Sequence, residues 1–275
     1  MSDLLKADLK RSLRDKLFLV LCIIAAAFAL VTPLLYKGIF MLLQIDANAM
    51  QELEMLGIGI NAKSMFFGSF SLGNNFGFIL PIFIVIILCK DFSHGTIRNK
   101  IICGKSRTSI YFSMLITCTA LICVLIMAHA VLTLLISLLF FDYQATPFTL
   151  GDFGYLMASV ALELLVYLFL CALLTFFIVR MKNAGLAIVM YFVVSFTMMI
   201  AGGITQTVVI FADPASTSYG ILEFFNTANI FVTTAIGNGT SYELQDVLYL
   251  VLPVVASTAL FIALGFLSFK KKDIK

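Results

Sequence analysis

Six runs of the chain are apolar for long enough to cross a bilayer: 17–36, 76–89 with a few residues before it, 111–140, 155–179, 184–211 and 247–269. A helix rises 1.5 Å per residue, so about twenty residues cover the ~30 Å hydrocarbon layer. Inside that layer the backbone must satisfy its own hydrogen bonds, which leaves only helices and closed barrels. A barrel needs alternating ten-residue strands, and the chain shows none. Composition agrees. Hydrophobic residues make up 61% of the chain and charged residues 12%, against about 25% charged in a soluble domain. The expected fold is therefore all-α, a polytopic membrane protein of six transmembrane helices forming one domain over 1–275.

The segments between the runs carry the polar pattern. In residues 2–16, Leu5, Leu9 and Leu13 recur every four residues, with Lys6, Lys10 and Arg14 on an adjoining face. That pattern predicts an interfacial helix, leucines in the lipid and cations at its headgroups. The following run contains Ala27-Phe28-Ala29, which imitates a signal-peptide cleavage site, but it stays apolar to Leu35 and reads as a retained span. Residues 44–55 suggest a surface helix, and 57–75 mixes glycine, serine and Phe66, Phe67 and Phe70 in an irregular approach to the membrane. Pro81 predicts a kink in the second span. The segment 213–246 reads as an external or re-entrant helical region before the last span, with a turn at Asn238-Gly239.

Orientation follows from the cations. Six spans place both termini on one side, with the 90–107 connector and the turn at Arg180 and Lys182. Sixteen of the eighteen Lys and Arg residues fall there; only Lys37 and Lys63 fall opposite, where nine acids lie. By the positive-inside rule the basic face is cytoplasmic, so the expected location is the cell membrane with both termini cytoplasmic.

No catalytic set is visible. His94 and His129 are too far apart for metal-ligand spacing, and the six cysteines form no C-x-x-C. Gly104-Lys105-Ser106 resembles the end of a phosphate-binding loop, but Asn99 stands where the first glycine belongs. No enzyme activity, resident cofactor, metal or nucleic-acid partner is expected of this chain. Two groups of residues remain as candidates. One is the connector 90–107, in which Ser93 or Gly95-Thr96 starts a short helix with Ile97, Ile101 and Ile102 on one side and basic residues facing an aqueous partner. An ordinary positive-inside loop is the alternative. The other is Glu163, eight residues into the fourth span and about 12 Å from its outer end. A charge at mid-helix costs about 2.5–3.5 kcal/mol on insertion scales, so lipid exposure is excluded; His129 is the expected partner in an intramembrane polar pair, whose role is either helix–helix bonding or contact with substrate.

The stretch DFSHGTIRNKIICGKSRTSIYFSMLI resembles the region after the second helix in ABC-2-type permeases, and is especially similar to small permeases of bacitracin and lantibiotic resistance. Asp91, Gly95, Thr96, Arg98, Gly104, Ser106 and Arg107 match that pattern, Asp91 standing where the family more often has Glu. The resemblance implies a coupling helix here, with Asp91, Gly95, Thr96, Arg98, Asn99 and Arg107 at the contact with an ATP-binding subunit. It also implies two such subunits, carrying ATP and Mg, and a second permease copy or a related permease. The expected function is that of the membrane subunit of an exporter for a hydrophobic or amphipathic substrate such as an antimicrobial peptide. The alternatives are an ion-coupled secondary transporter centred on Glu163 and a non-transporting scaffold or signalling subunit.

Overall fold

A computed structural model of the chain describes residues 2–43, 61–72, 75–143, 149–211, 216–231 and 244–271. The helix expected near 44–55 and the turn at Asn238-Gly239 lie outside the described residues. In chain order the helices are α1 (Ser2–Leu13), α2 (Lys16–Leu42), α3 (Ala62–Gly68), α4 (Asn75–Ser93), α5 (Thr96–Ile102), α6 (Arg107–Ser137), α7 (Leu150–Met181), α8 (Ala184–Phe211), α9 (Thr217–Ala228) and α10 (Leu244–Lys271). Among the described residues there is no strand. Six helices (α2, α4, α6, α7, α8 and α10) are long and apolar enough to cross a membrane, and the fold is that of an all-α polytopic membrane protein.

Polar side chains punctuate the spans. Asp15 caps α2 by accepting from the Leu17 amide at 2.9 Å, and Ser106 caps α6 by accepting from Ser109. Thr149 and Asp152 form a reciprocal capping box on α7. Each cap satisfies an amide that the first turn leaves unbonded. At the other end of α7, Lys182 adopts a left-handed conformation (φ 54°), and α8 begins two residues later. The helix α4 continues through Pro81 to Ser93.

The helix α7 is the most enclosed of the six, while α8 and α10 are the most open. It packs against α4, α6, α8 and α10, and α2 closes the bundle against α4 and α6. At 31 and 32 residues, α6 and α7 are each about 47 Å long at helical rise, so they tilt or project beyond a 30 Å layer. The third span starts earlier than the apolar run suggests, at Arg107, so the end of the connector is already helix.

Two short helices enter the bundle from the face opposite the termini. Asn229, just past α9, donates from its amide to the Met198 carbonyl at 2.7 Å. Met198 lies midway along α8, about 20 Å from Phe211 at helical rise, so α9 runs back down into the layer. Phe224 of α9 stacks edge-on against Tyr249 of α10. This is the re-entrant reading of the segment before the last span; residues 213–215 and 232–243 of that segment lie outside the described residues.

The second re-entrant element is α3. Asn61 and Ser64 cap it reciprocally, and the Ala62 and Lys63 amides bond to the carbonyls of Asp142 and Tyr143. Met65, Phe66, Phe67 and Phe70 are buried. Tyr167, about 26 Å along α7 at helical rise, donates its hydroxyl to the Phe70 carbonyl at 2.8 Å. The irregular approach expected for 57–75 is therefore, over 61–72, a capped helix and turn held deep against α6 and α7. Non-helical backbone survives at that depth because protein covers it.

Candidate functional site

The connector folds as two turns of helix between two glycines. Gly95 (φ 66°) ends α4 and starts α5, and Gly104 (φ 77°) follows its end. The Lys105 amide returns to the Lys100 carbonyl and the Gly104 amide to that of Ile101, the paired bonds of a Schellman stop, which favours glycine at this left-handed position. Ser106 then caps α6. The Gly104-Lys105-Ser106 triplet is thus a stop and a start, one element apart.

Ile97 is the anchor of α5, only 2% exposed, and Ile101 packs half-buried beside it. Arg98, Asn99, Ile102 and Cys103 face outward. Ile102 departs from the expectation that it shares the inner face: it lies one turn after Arg98, and it is 72% exposed.

Beneath α5 lies a network of charges that also holds α1. Asp8 and Asp91 are both buried at 4% exposure. The Lys100 ammonium bridges them, 2.7 Å from Asp8 Oδ1 and 3.2 Å from Asp91 Oδ2. Arg11 pairs with Asp91 and sits 3.7 Å from Asp8. Ser113 of α6 donates to the second Asp8 oxygen at 2.7 Å. Two acids against two cations leave no net charge, and each carboxylate has at least two partners, the condition under which buried ions are tolerated. Next to this network Lys90 pairs with both oxygens of Asp15 at 2.6 and 2.8 Å. A cleft of about 420 Å³ opens between Arg14, Asp15, Lys90, Asp91, His94 and Thr96.

The face that α1 presents to α6 is thus Leu4, Asp8 and Ser12, all buried, while Leu13, Lys6, Lys10 and Arg14 are exposed and Leu5 and Leu9 partly so. The sequence expectation for α1 named the leucine stripe and left out the buried stripe of Leu4, Asp8 and Ser12. Asp8, Arg11, Lys100 and Ser113 escaped the sequence reading. The available signal was the rarity of acids on so basic a face.

Of the six connector residues singled out, Arg98 and Asn99 are exposed. Asp91 is consumed within the chain. Arg107 donates to the Lys270 carbonyl at 2.8 Å, joining α6 to the end of α10. Gly95 shapes the backbone, and Thr96 is half-buried as the first residue of α5. The surface available to a partner is smaller than the motif.

Glu163 is 5% exposed on α7. His129, also buried, has Nδ1 3.0 Å from the Ala25 carbonyl and its ring 4.7 Å from that of Phe76. Among the described residues no hydrogen bond or ion pair joins His129 to Glu163, so the expected polar pair is not formed. His129 serves the α2–α6 contact instead.

Residues 61–275 match a family of proteins of unknown function, DUF2705. The chain belongs to that family. The DUF2705 match takes in everything from α3 to α10, including the connector and Glu163, while α1 and α2 precede it. Of the charge network, Asp91, Lys100 and Ser113 fall within the DUF2705 region, and Asp8 and Arg11 lie before it. No curated protein matches the chain.

The Asp15–Lys90 pair makes the α1–α2 junction sensitive to acid. Burial pushes the Asp15 carboxyl up, but the hydrogen bonds from Lys90 and the Leu17 amide and the charges of Lys90 and Arg11 outweigh it, holding the group below its usual value. The folded state therefore binds this proton less readily than the unfolded state. The contact stabilises fully above about pH 4, the unfolded carboxylate value, and the stabilisation is lost as pH falls through the depressed one. A thermal-midpoint titration from pH 7 to pH 3 should show an acid limb that Asp15→Asn flattens.

Proposed function

We propose that this protein is the membrane subunit of an ABC-2-type exporter, with its termini and connector on the cytoplasmic face and α5 as the coupling helix for a separate ATP-binding subunit. The observation that carries the reading is the two-sided character of α5. Its inner face is fixed by Ile97 and by the Lys100 bridges, so the helix is rigidly mounted. Its outer face offers Arg98, Asn99 and Ile102 to solvent. Thrust applied to the tip passes to α1 through Asp8, to α4 through Asp91 and to α6 through Ser113. A partner that changes shape on hydrolysing ATP then moves three elements together, and a bundle with two arrangements converts that motion into transport. The open flanks of α8 and α10 suit a second permease copy, and the substrate is hydrophobic or amphipathic, such as an antimicrobial peptide. ATP and Mg belong to the partner.

The test is co-purification with a candidate ATP-binding cassette subunit, comparing the intact protein with Arg98→Glu and Ile102→Asp. Both side chains are exposed, so both variants should fold with unchanged thermal midpoints. Each should lose association by tenfold or more, since a reversed charge or a carboxylate placed at a packed contact costs more than about 1.4 kcal/mol. Undiminished association of both variants refutes α5 as the docking element. Failure of any ATP-binding subunit to associate with the intact chain refutes the exporter.

A further inference from the structure

The central helix α7 carries Tyr155, Ser159, Glu163 and Tyr167 at intervals of four residues, and all but Tyr155 are buried. Their surroundings differ. Tyr155 stacks under the Lys63 ammonium, 5.3 Å from its ring centre, near the face opposite the termini. The Ser159 hydroxyl donates to the Tyr155 carbonyl at 2.8 Å. Tyr167 directs its hydroxyl to the Phe70 carbonyl. Glu163, between them, has no hydrogen-bond or ion-pair partner among the described residues. It is thirteen residues from the start of α7 and eighteen from its end, about 20 and 27 Å at helical rise.

A carboxylate at that depth, uncompensated, is the costliest group a bundle can enclose, and the group relieves the cost by taking up a proton. We propose that Glu163 is a proton-binding site inside the bundle, exchanging with the face opposite the termini along Ser159 and Tyr155. The ionisable side chains on the elements packed around it are Lys63 of α3, Arg107, Tyr111, Cys118, Cys123 and His129 of α6, Tyr191 of α8, and Asp152, Tyr155, Tyr167, Cys171 and Arg180 of α7 itself. The helices α4 and α10 contribute such groups only near their ends: Cys89, Lys90 and Asp91 of α4, and Tyr249, Lys270 and Lys271 of α10. Of the two cations on this side, Lys37 lies over Phe141, and Lys63 has its ammonium over Tyr155, two helical turns from Glu163. A metal ion does not fit the site. Calcium and magnesium take about six or more oxygens and zinc about four ligands, and the described residues hold no group of three His, Cys, Asp or Glu that could bind one. The proton is the ligand that one carboxyl accommodates. Ser159 and Tyr155 lie one and two turns from Glu163 toward the start of α7, and Lys63 packs over Tyr155 beyond them.

This inference does not rest on the exporter reading: it concerns the opposite half of the bundle and survives if no ATP-binding subunit associates. Infrared difference spectroscopy of the purified protein in lipid vesicles tests it. A protonated-carboxyl stretching band should be present at neutral pH, disappear in Glu163→Gln, and shift within minutes of transfer to D2O. Ser159→Ala should slow that shift tenfold or more while leaving the band in place. Where Glu163→Gln fails to fold, Glu163→Asp keeps the acid and must displace the band. Absence at neutral pH of any band assignable to Glu163 overturns the proposal, as does a band that stays unshifted in D2O for hours. Exchange unaffected by Ser159→Ala overturns the route.

Discussion

Asp91→Lys should release α1 from the bundle and lower stability by about 3–5 kcal/mol, the range for breaking a buried ion pair by removing one partner. Asp91 is 4% exposed and holds both Arg11 and Lys100. Reversing its charge sets three cations against Asp8 alone, two of them on side chains with little access to water. The expected signs are a large fall in thermal midpoint and rapid proteolysis within the first fifteen residues. Adding Lys100→Asp restores one acid opposite one base and should recover part of the loss, because the two sites share a hydrogen bond and their effects do not add. Arg98→Glu, one turn away on the open side of α5, should change the midpoint by no more than about 0.5 kcal/mol. Equal losses from Asp91→Lys and Arg98→Glu would show that Asp91 faces solvent and that α1 is held by its leucines alone. The contrast also separates folding from coupling: loss of a partner on Asp91 reversal reports a broken mount, and loss on Arg98 reversal reports the contact.

What the sequence makes legible depends on how far an interaction reaches along the chain. The six spans are local: twenty apolar residues announce themselves, and the structure has its six long helices where those runs lie. The starts and stops of α5 and α6 are local too, written in Gly95, Gly104 and Ser106. The charge network is not. Asp8 and Ser113 are 105 residues apart in sequence, and in α1 the visible period is that of the leucines. A polar stripe offset from it, Leu4, Asp8 and Ser12, reads as solvated surface until α6 is laid on top. Asp91 was legible as special and its role was not, because an acid that binds a partner protein and an acid that binds its own amino-terminal helix have the same sequence. Glu163 was legible as buried from its depth alone. The pairing with His129 failed because each helix has several neighbours, and depth says nothing of which one a side chain meets.

The re-entrant α3 was hidden for a related reason, and it sets up the second large effect. Glycine, serine and phenylalanine over 57–75 carry no clean period, since the segment is too short to span and is covered on most sides by protein rather than lipid. Its position depends on one close approach. A Cβ built at Gly77, in the first turn of α4, comes within 2.3 Å of the Ser71 carbonyl oxygen and 3.1 Å of the Leu72 Cα. Both atoms are backbone, so no rotamer change relieves the clash, and either α4 or the 69–72 turn must move. Moving that turn strains the Tyr167–Phe70 bond and the packing of Phe66, Phe67 and Phe70. Gly77→Ala should therefore cost about 1–3 kcal/mol, the usual penalty for overpacking a filled interior. Gly265→Ala is the control. Its Cβ meets the Tyr111 hydroxyl at 2.5 Å, a side-chain atom and not backbone, so relief takes a shift of the buried Tyr111 ring and the loss of its one bond to the Ile262 carbonyl, worth about 1 kcal/mol. Thermal midpoints of the two variants in detergent should rank Gly77→Ala as the more damaging. The reverse order would mean that the 61–72 segment yields easily and that α3 is a loosely seated plug instead of a fixed part of the bundle.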